Sequence, residues 1–149
     1  MRILVSACLL GEPCRYDGKS KPCEAVLELQ KSHTLIPICP EVMGGLPTPR
    51  IPSECREDGT VMNQKGMDVT HAYQKGAAAA LAVARENECA VAILKERSPA
   101  CGKGKIYDGT FSRTLIDGNG VCAALLMKNG IRVIGETDVL GEIGHGIVF

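Results

Sequence analysis

Tryptophan is absent from this 149-residue chain, and three tyrosines and two phenylalanines are its only aromatic side chains. The core must therefore be aliphatic, and hydrophobic residues at 45% suffice to build one. Net charge is also missing, because seventeen basic side chains balance seventeen acidic ones. Nucleic-acid binders usually carry a clear basic excess, so nucleic acid is possible as a partner but not favoured. No run approaches the ~18 apolar residues of a membrane span. Small residues precede Cys8 as in a lipoprotein signal, but only Ile3, Leu4 and Val5 form an apolar region, against about seven residues in a secretory signal. That start reads as a first β-strand, and the protein as cytoplasmic. Linkers, low-complexity tracts and long repeats are lacking too, so residues 1–149 read as one domain.

What the chain does contain is an alternation of strand-like and helix-like segments. Residues 3–9, 34–39, 89–95 and 131–134 are short aliphatic runs of the kind that form buried parallel strands. Residues 22–31 suit a helix, with Pro22 in its first turn and Ala25, Val26 and Leu29 on one face. Asp68 is placed to cap a long helix to residue 88, with Val69, Ala72, Tyr73, Gly76, Ala80, Val83 and Ala84 facing inward. Asn119 is placed to cap a helix over 121–128 that Gly130 stops. Residues 40–68 read as irregular apart from a hairpin turning at Asp58-Gly59, residues 98–118 as irregular and glycine-rich, and the tail 137–149 as room for a short helix. The alternation predicts an α/β fold: a mainly parallel sheet of about four strands, in order 2-1-3-4, with helices on both faces in a Rossmann-like arrangement.

The sequence holds eight cysteines. A secreted disulfide scaffold is shorter and denser in cysteine, and cytosolic thiols serve instead as metal ligands, catalysts or core filling. In a parallel sheet all strand C-termini share one edge, where ligands bind. Cys8, Cys39 and Cys101 follow the first, second and third strands and would meet there, each ahead of glycine-containing irregular chain. Thiolates favour zinc or iron–sulfur centres. A structural zinc site commonly uses Cys-x-x-Cys pairs, and there are none. A 4Fe–4S cube takes ligands from distant strands more easily, and with three cysteines it keeps one iron open. Cys14 is a candidate fourth ligand. Cys89 and Cys122 read as core, and Cys23 and Cys55 as bystanders. On the residues alone, Glu41 suits a salt bridge or a turn cap, and Ser98 a backbone cap before Pro99.

Three stretches go further: ACLLGEPCRYDG (7–18), CPEVMGGLPTPR (39–50) and KERSPACGKGKIYDG (95–109). Together, in order and spacing, they resemble the thiouracil desulfurase family across nearly the whole chain. The resemblance implies a 4Fe–4S cluster held by Cys8, Cys39 and Cys101, with the open iron capturing the sulfur of a small thiolated base. It implies that Glu41 and Ser98 form the acid/base pair of a non-redox reaction, in which thiouracil and water give uracil and sulfide. Arg50 and Arg97 flank two of the motifs and suit orienting the base, balancing cluster charge or pairing with a nearby acid. Tyr-Asp-Gly occurs twice, at 16–18 and 107–109, a turn signal whose tyrosines also point to the ligand edge. His33, His71 and His145 are scattered and read as surface or core residues. Two other readings fit the thiols: a zinc-binding or metal-storage module, and a cysteine-persulfide carrier.

Overall fold

The computed structural model describes residues 1–139. Four parallel strands form the central sheet: β1 (Arg2–Ser6), β2 (Thr34–Ile38), β5 (Val91–Leu94) and β8 (Arg132–Gly135), in the order β2-β1-β5-β8. This is the expected 2-1-3-4 order. Side chains of β1 alternate between two cores. Leu4 packs with the long helix α3 (Thr70–Glu86) and with α4 (Val121–Lys128), whereas Ile3 and Val5 pack with α1 (Glu24–Glu28) on the other face. All three are fully buried, which contributes roughly 1.5–3 kcal/mol each.

Helix α3 is inward at Tyr73, Gly76, Ala77, Ala80, Leu81 and Ala84, the spacing of one helical stripe. Asp68 assists its start by accepting the Thr70 N–H at 2.9 Å. The 53–63 region forms the expected hairpin, β3 (Ser53–Cys55) with β4 (Val61–Asn63). The expected tail helix and His145 fall largely or wholly outside the described residues.

Three expectations are corrected. The segment after Cys39 is not irregular at once, since Pro40–Met43 forms a one-turn helix, α2. Proline at its first position brings a preset φ and lacks an N–H that would have no partner there. Residues 98–118 contain a second hairpin, β6 (Lys105–Tyr107) with β7 (Leu115–Asp117). Asn119 does not cap α4. Its Oδ1 accepts the Gly104 N–H at 2.9 Å instead, and Gly120 takes the cap position. The first N–H groups of α4 go to a neighbouring loop: Val121 to Pro99 O at 2.9 Å, Cys122 to Ala100 O at 2.8 Å and Ala123 to Ala100 O at 3.1 Å. Carbonyls of the 99–102 loop thus do what a side-chain cap would do. Gly120 is required there, because a Cβ would come within 2.5 Å of the Ala100 backbone.

Helices α2 and α3 meet backbone to backbone. A Cβ at Gly76 would stand 1.8 Å from Pro40 O, and one at Gly44 would stand 2.0 Å from Ala72 O. Neither obstacle is a flexible side chain. Gly76→Ala is therefore expected to lower unfolding stability by about 2–3 kcal/mol through forced separation of the helices. An unchanged urea midpoint would refute this account of the contact.

Candidate active site

The C-terminal ends of β1, β2 and β5 open onto a cavity of about 640 Å³, a usual size for a small-molecule site. Cys8 enters it from the 3-10 turn after β1 (Ala7–Leu10), Cys39 from the residue after β2, and Cys101 from the loop after β5. Glu41, Arg50, Arg97 and Ser98 line the same cavity. Cys23, Cys55, Cys89 and Cys122 do not. Cys89 and Cys122 are buried in the α3/α4 core, and the Cys55 thiol donates to Pro99 O at 3.4 Å.

Cys14 does line the cavity, hydrogen-bonded to both Cys8 and Cys39. Cys39 also donates to the Cys14 carbonyl at 3.8 Å. The bond to Cys39 draws the Cys14 thiol down, but the bond to Cys8 and burial outweigh it and leave it at about 11. The bond to Cys14 and then burial push Cys39 well up. Burial, above all, does the same to Cys101, which the Ser6 hydroxyl partly offsets by a hydrogen bond. Ser6 is itself buried and accepts the Lys95 N–H at 2.9 Å, joining the ends of β1 and β5 beside Cys101. Cys14, Cys39 and Cys101 are thereby held toward the protonated thiol, which a bound cation would reverse.

Glu41 is held from two sides. Arg50 Nε donates to Oε2 at 3.3 Å and Nη2 lies 3.2 Å from Oε1, while the Tyr73 hydroxyl donates to Oε2 at 2.5 Å. Arg50 Nη2 also donates to Cys14 O at 2.9 Å, and Nη1 to Pro47 O and Thr48 Oγ1, each at 3.2 Å. Burial works against the guanidinium charge, but Glu41 beside it outweighs that and raises the Arg50 pKa. The pairing of Arg50 with a nearby acid is thus the observed one. Tyr73 is the functional neighbour that periodicity hid: on the inward stripe of α3 it reads as packing, and only its polar tip on a buried ring hints at a partner.

Ser98 Oγ accepts the N–H groups of Ala100 and Cys101, each at 3.1 Å. Both its lone pairs are then in use, and the hydroxyl proton is left to donate. The same two bonds fix the turn that presents Cys101.

Aromatic residues concentrate here. Tyr16, Tyr107 and Phe111 line the cavity in a chain with three tyrosines and two phenylalanines. Both Tyr-Asp-Gly segments are Asx turns, with Asp17 accepting from Lys19 and Asp108 from Thr110, and both bring their tyrosine to this cavity. Among the described residues, four non-glycine residues have positive φ, and Arg97 (67°), Phe111 (58°) and Arg113 (60°) all line it. Such conformations cost about 1–3 kcal/mol each and cluster at functional sites. Arg15, Lys21, Arg97 and Arg113 have no ion-pair partner among the described residues. They outnumber Glu54 and Glu96, the carboxylates of the lining that are likewise without an ion pair, which leaves the cavity with an excess of positive charge.

Among the described residues, no three His, Cys, Asp or Glu side chains are disposed around one metal ion. Soft sulfur donors spread over one cavity wall, facing unpaired cations, fit a larger and anionic body such as an iron–sulfur cluster.

Comparison with known proteins gives the same direction. A solved structure described as a 4Fe–4S-dependent thiouracil desulfidase, TudS, superposes with a TM-score of 0.89 at 42% identity, covering 97% of this chain and 96% of its own. An uncharacterised protein of Bacillus subtilis (strain 168), YbbK, is 46% identical over 146 residues, covering 92% of this chain and 97% of its own. Residues 3–138 match the 2-thiouracil desulfurase family. With that span of the chain matched, the protein belongs to the 2-thiouracil desulfurase family.

Proposed function

We propose that the chain catalyses the iron–sulfur-dependent, non-redox desulfuration of a thiolated uracil, in which thiouracil and water give uracil and sulfide. What carries the reading is one cavity lined by three strand-end thiols, a carboxylate and a serine hydroxyl, in a member of the 2-thiouracil desulfurase family. In this reading residues 1–149 work as a single cytoplasmic domain, and Cys8, Cys39 and Cys101 hold the cluster. When bound, a 4Fe–4S cluster with three protein thiolates supplies a Lewis-acidic iron whose softness suits a thione sulfur.

The protein's own groups handle position and protons. Glu41 takes a proton from the water that attacks the ring carbon, and the Ser98 hydroxyl donates as the carbon–sulfur bond gives way to a carbon–oxygen bond. No electron is gained or lost in that exchange. Arg50 makes four hydrogen bonds to protein acceptors and an ion-pair contact to Glu41 Oε1, so we assign Arg50 to orienting Glu41 rather than to touching substrate. Arg97 is exposed and without an ion pair among the described residues, and belongs to the rim that draws in an anionic cluster or substrate. Tyr107 and Phe111 offer ring faces for a pyrimidine.

A small thiolated base is favoured over RNA. The basic stretch 95–105 is partly neutralised, because Lys95 pairs with Glu136 at 3.0 Å and Lys105 with Asp117 at 2.5 Å.

Protein purified without oxygen is expected to carry about four irons and four acid-labile sulfides per chain. Zinc at one per chain, or metal-free protein carrying a reactive persulfide, would overturn the reading. Cys8→Ala, Cys39→Ala and Cys101→Ala should each lose the iron, and Cys122→Ala should retain it in folded protein. Iron loss from Cys122→Ala with an unchanged circular-dichroism spectrum would show that the ligand set is misassigned. Glu41→Gln should keep its iron and lose about 10²–10⁴-fold in turnover of thiouracil; turnover at the parent rate removes Glu41 as the base.

A further inference from the structure

A carboxylate offers about four acceptor positions, two on each oxygen. On Glu41, Oε2 accepts Tyr73 Oη at 2.5 Å and Arg50 Nε at 3.3 Å, whereas Oε1 lies 3.2 Å from Arg50 Nη2 as an ion-pair contact without a hydrogen bond. The positions that remain are on Oε1. We propose that Tyr73 is a positioning residue for the desulfuration: by occupying Oε2 together with Arg50 it leaves Oε1 as the working oxygen of Glu41, in a fixed rotamer beside the cavity.

Several observations favour this over simple packing. The other buried residues of the α3 stripe are Gly76, Ala77, Ala80, Leu81 and Ala84, none with a polar side chain. Tyr73 is only 1% exposed, and a packing role needs the ring but not the hydroxyl. The Ser53 side chain, which also lines the cavity, stands near enough to the hydroxyl to draw its pKa down in part. Burial, followed by the charge of Glu41, pushes the phenol pKa up, so the group stays a donor. Glu41 itself starts from α2, whose seat on α3 is fixed by the close approach at Gly76, one helical turn after Tyr73. Helix α3 therefore sets both the root of the Glu41 side chain and its tip. A catalytic group displaced by about 1 Å loses on the order of 10²-fold in rate, which is the scale on which this contact acts.

The inference rests on Glu41 being the base, and the test separates the two. Tyr73→Phe keeps the ring and removes the hydroxyl. Assembled with its cluster under anaerobic conditions, it is expected to lose at least tenfold in kcat per bound cluster. KM should stay within about twofold, and iron content and thermal midpoint should match the parent. A kcat per cluster within twofold of the parent overturns the proposal, as does a loss of turnover that merely follows a loss of iron. Where Tyr73→Phe does not accumulate as folded protein, Ser53→Ala decides. A threefold or greater fall in kcat per cluster at parent iron content supports the relay of contacts, and unchanged kcat overturns it. Glu41→Gln runs alongside. Inactive Glu41→Gln with fully active Tyr73→Phe defeats the positioning role alone; active Glu41→Gln defeats the base assignment and this inference with it.

Discussion

Ser6 lies opposite Ile38 across β1 and β2, and Val5 lies opposite Ile93 across β1 and β5. Both pairings are parallel, so the three strands stop at one edge of the sheet. Cys8, Cys39 and the loop carrying Cys101 begin where these strands end. A shift of one residue in either pairing would turn the buried set of that strand to the wrong face, which the burial of Ile3, Leu4 and Val5 on two opposed cores forbids. The hydrophobic pattern of three strands therefore locates three sulfur atoms that are far apart along the chain.

Register alone brings loops to an edge without making them rigid. Here the loops are held by helix backbones. The Cys101 loop accepts the free N–H groups of α4, and its own turn is closed on Ser98. The segment after Cys39 becomes a helical turn pressed onto α3 at two glycines. The Cys14 loop is bound to Arg50 through its carbonyl. Each of these devices satisfies backbone polar groups that would otherwise be left without partners on burial, and each leaves a chemically useful side chain at the cavity.

The parts of this arrangement that were legible in the sequence are those set by period and punctuation. Aliphatic runs of strand length gave the sheet order, and Gly130 marked the end of α4 correctly. What escaped depends on partners distant in sequence. Residues 105–107 and 115–117 alternate too briefly to announce strands, and pair only because the loop between them folds back. Asn119 has the right residue type for a cap, but the 99–102 carbonyls reach the helix first. Pro40 follows a strand-ending cysteine and looks like a breaker, although its ring suits a first helical turn. The gathering of Cys8, Cys39 and Cys101 at one edge followed from strand direction. Glu41 and Ser98 came with the family resemblance and Arg50 and Arg97 with the motifs they flank, whereas Tyr73 could not be told from packing without seeing what its hydroxyl meets.

The pairing of Glu41 with Arg50 first looks like a reason to deny the carboxylate a chemical role, since an ion pair is the ordinary fate of a half-buried acid. The energetics argue otherwise. The two side chains are 16% and 5% exposed, and a pair that far from water is often no more stabilising than apolar residues of the same size. A fold seeking only stability has little need to keep it there. The Arg50 guanidinium also spends three further bonds on the loop of residues 14 and 47–48 rather than on Glu41, so it ties the acid to the Cys14 segment as a splint would. With Oε2 filled and Oε1 facing Nη2 without a hydrogen bond, the carboxylate is neither free to swing nor fully consumed. Salt-bridge partner and base are then one role, in which the contacts that restrain the group decide which oxygen remains open for a proton.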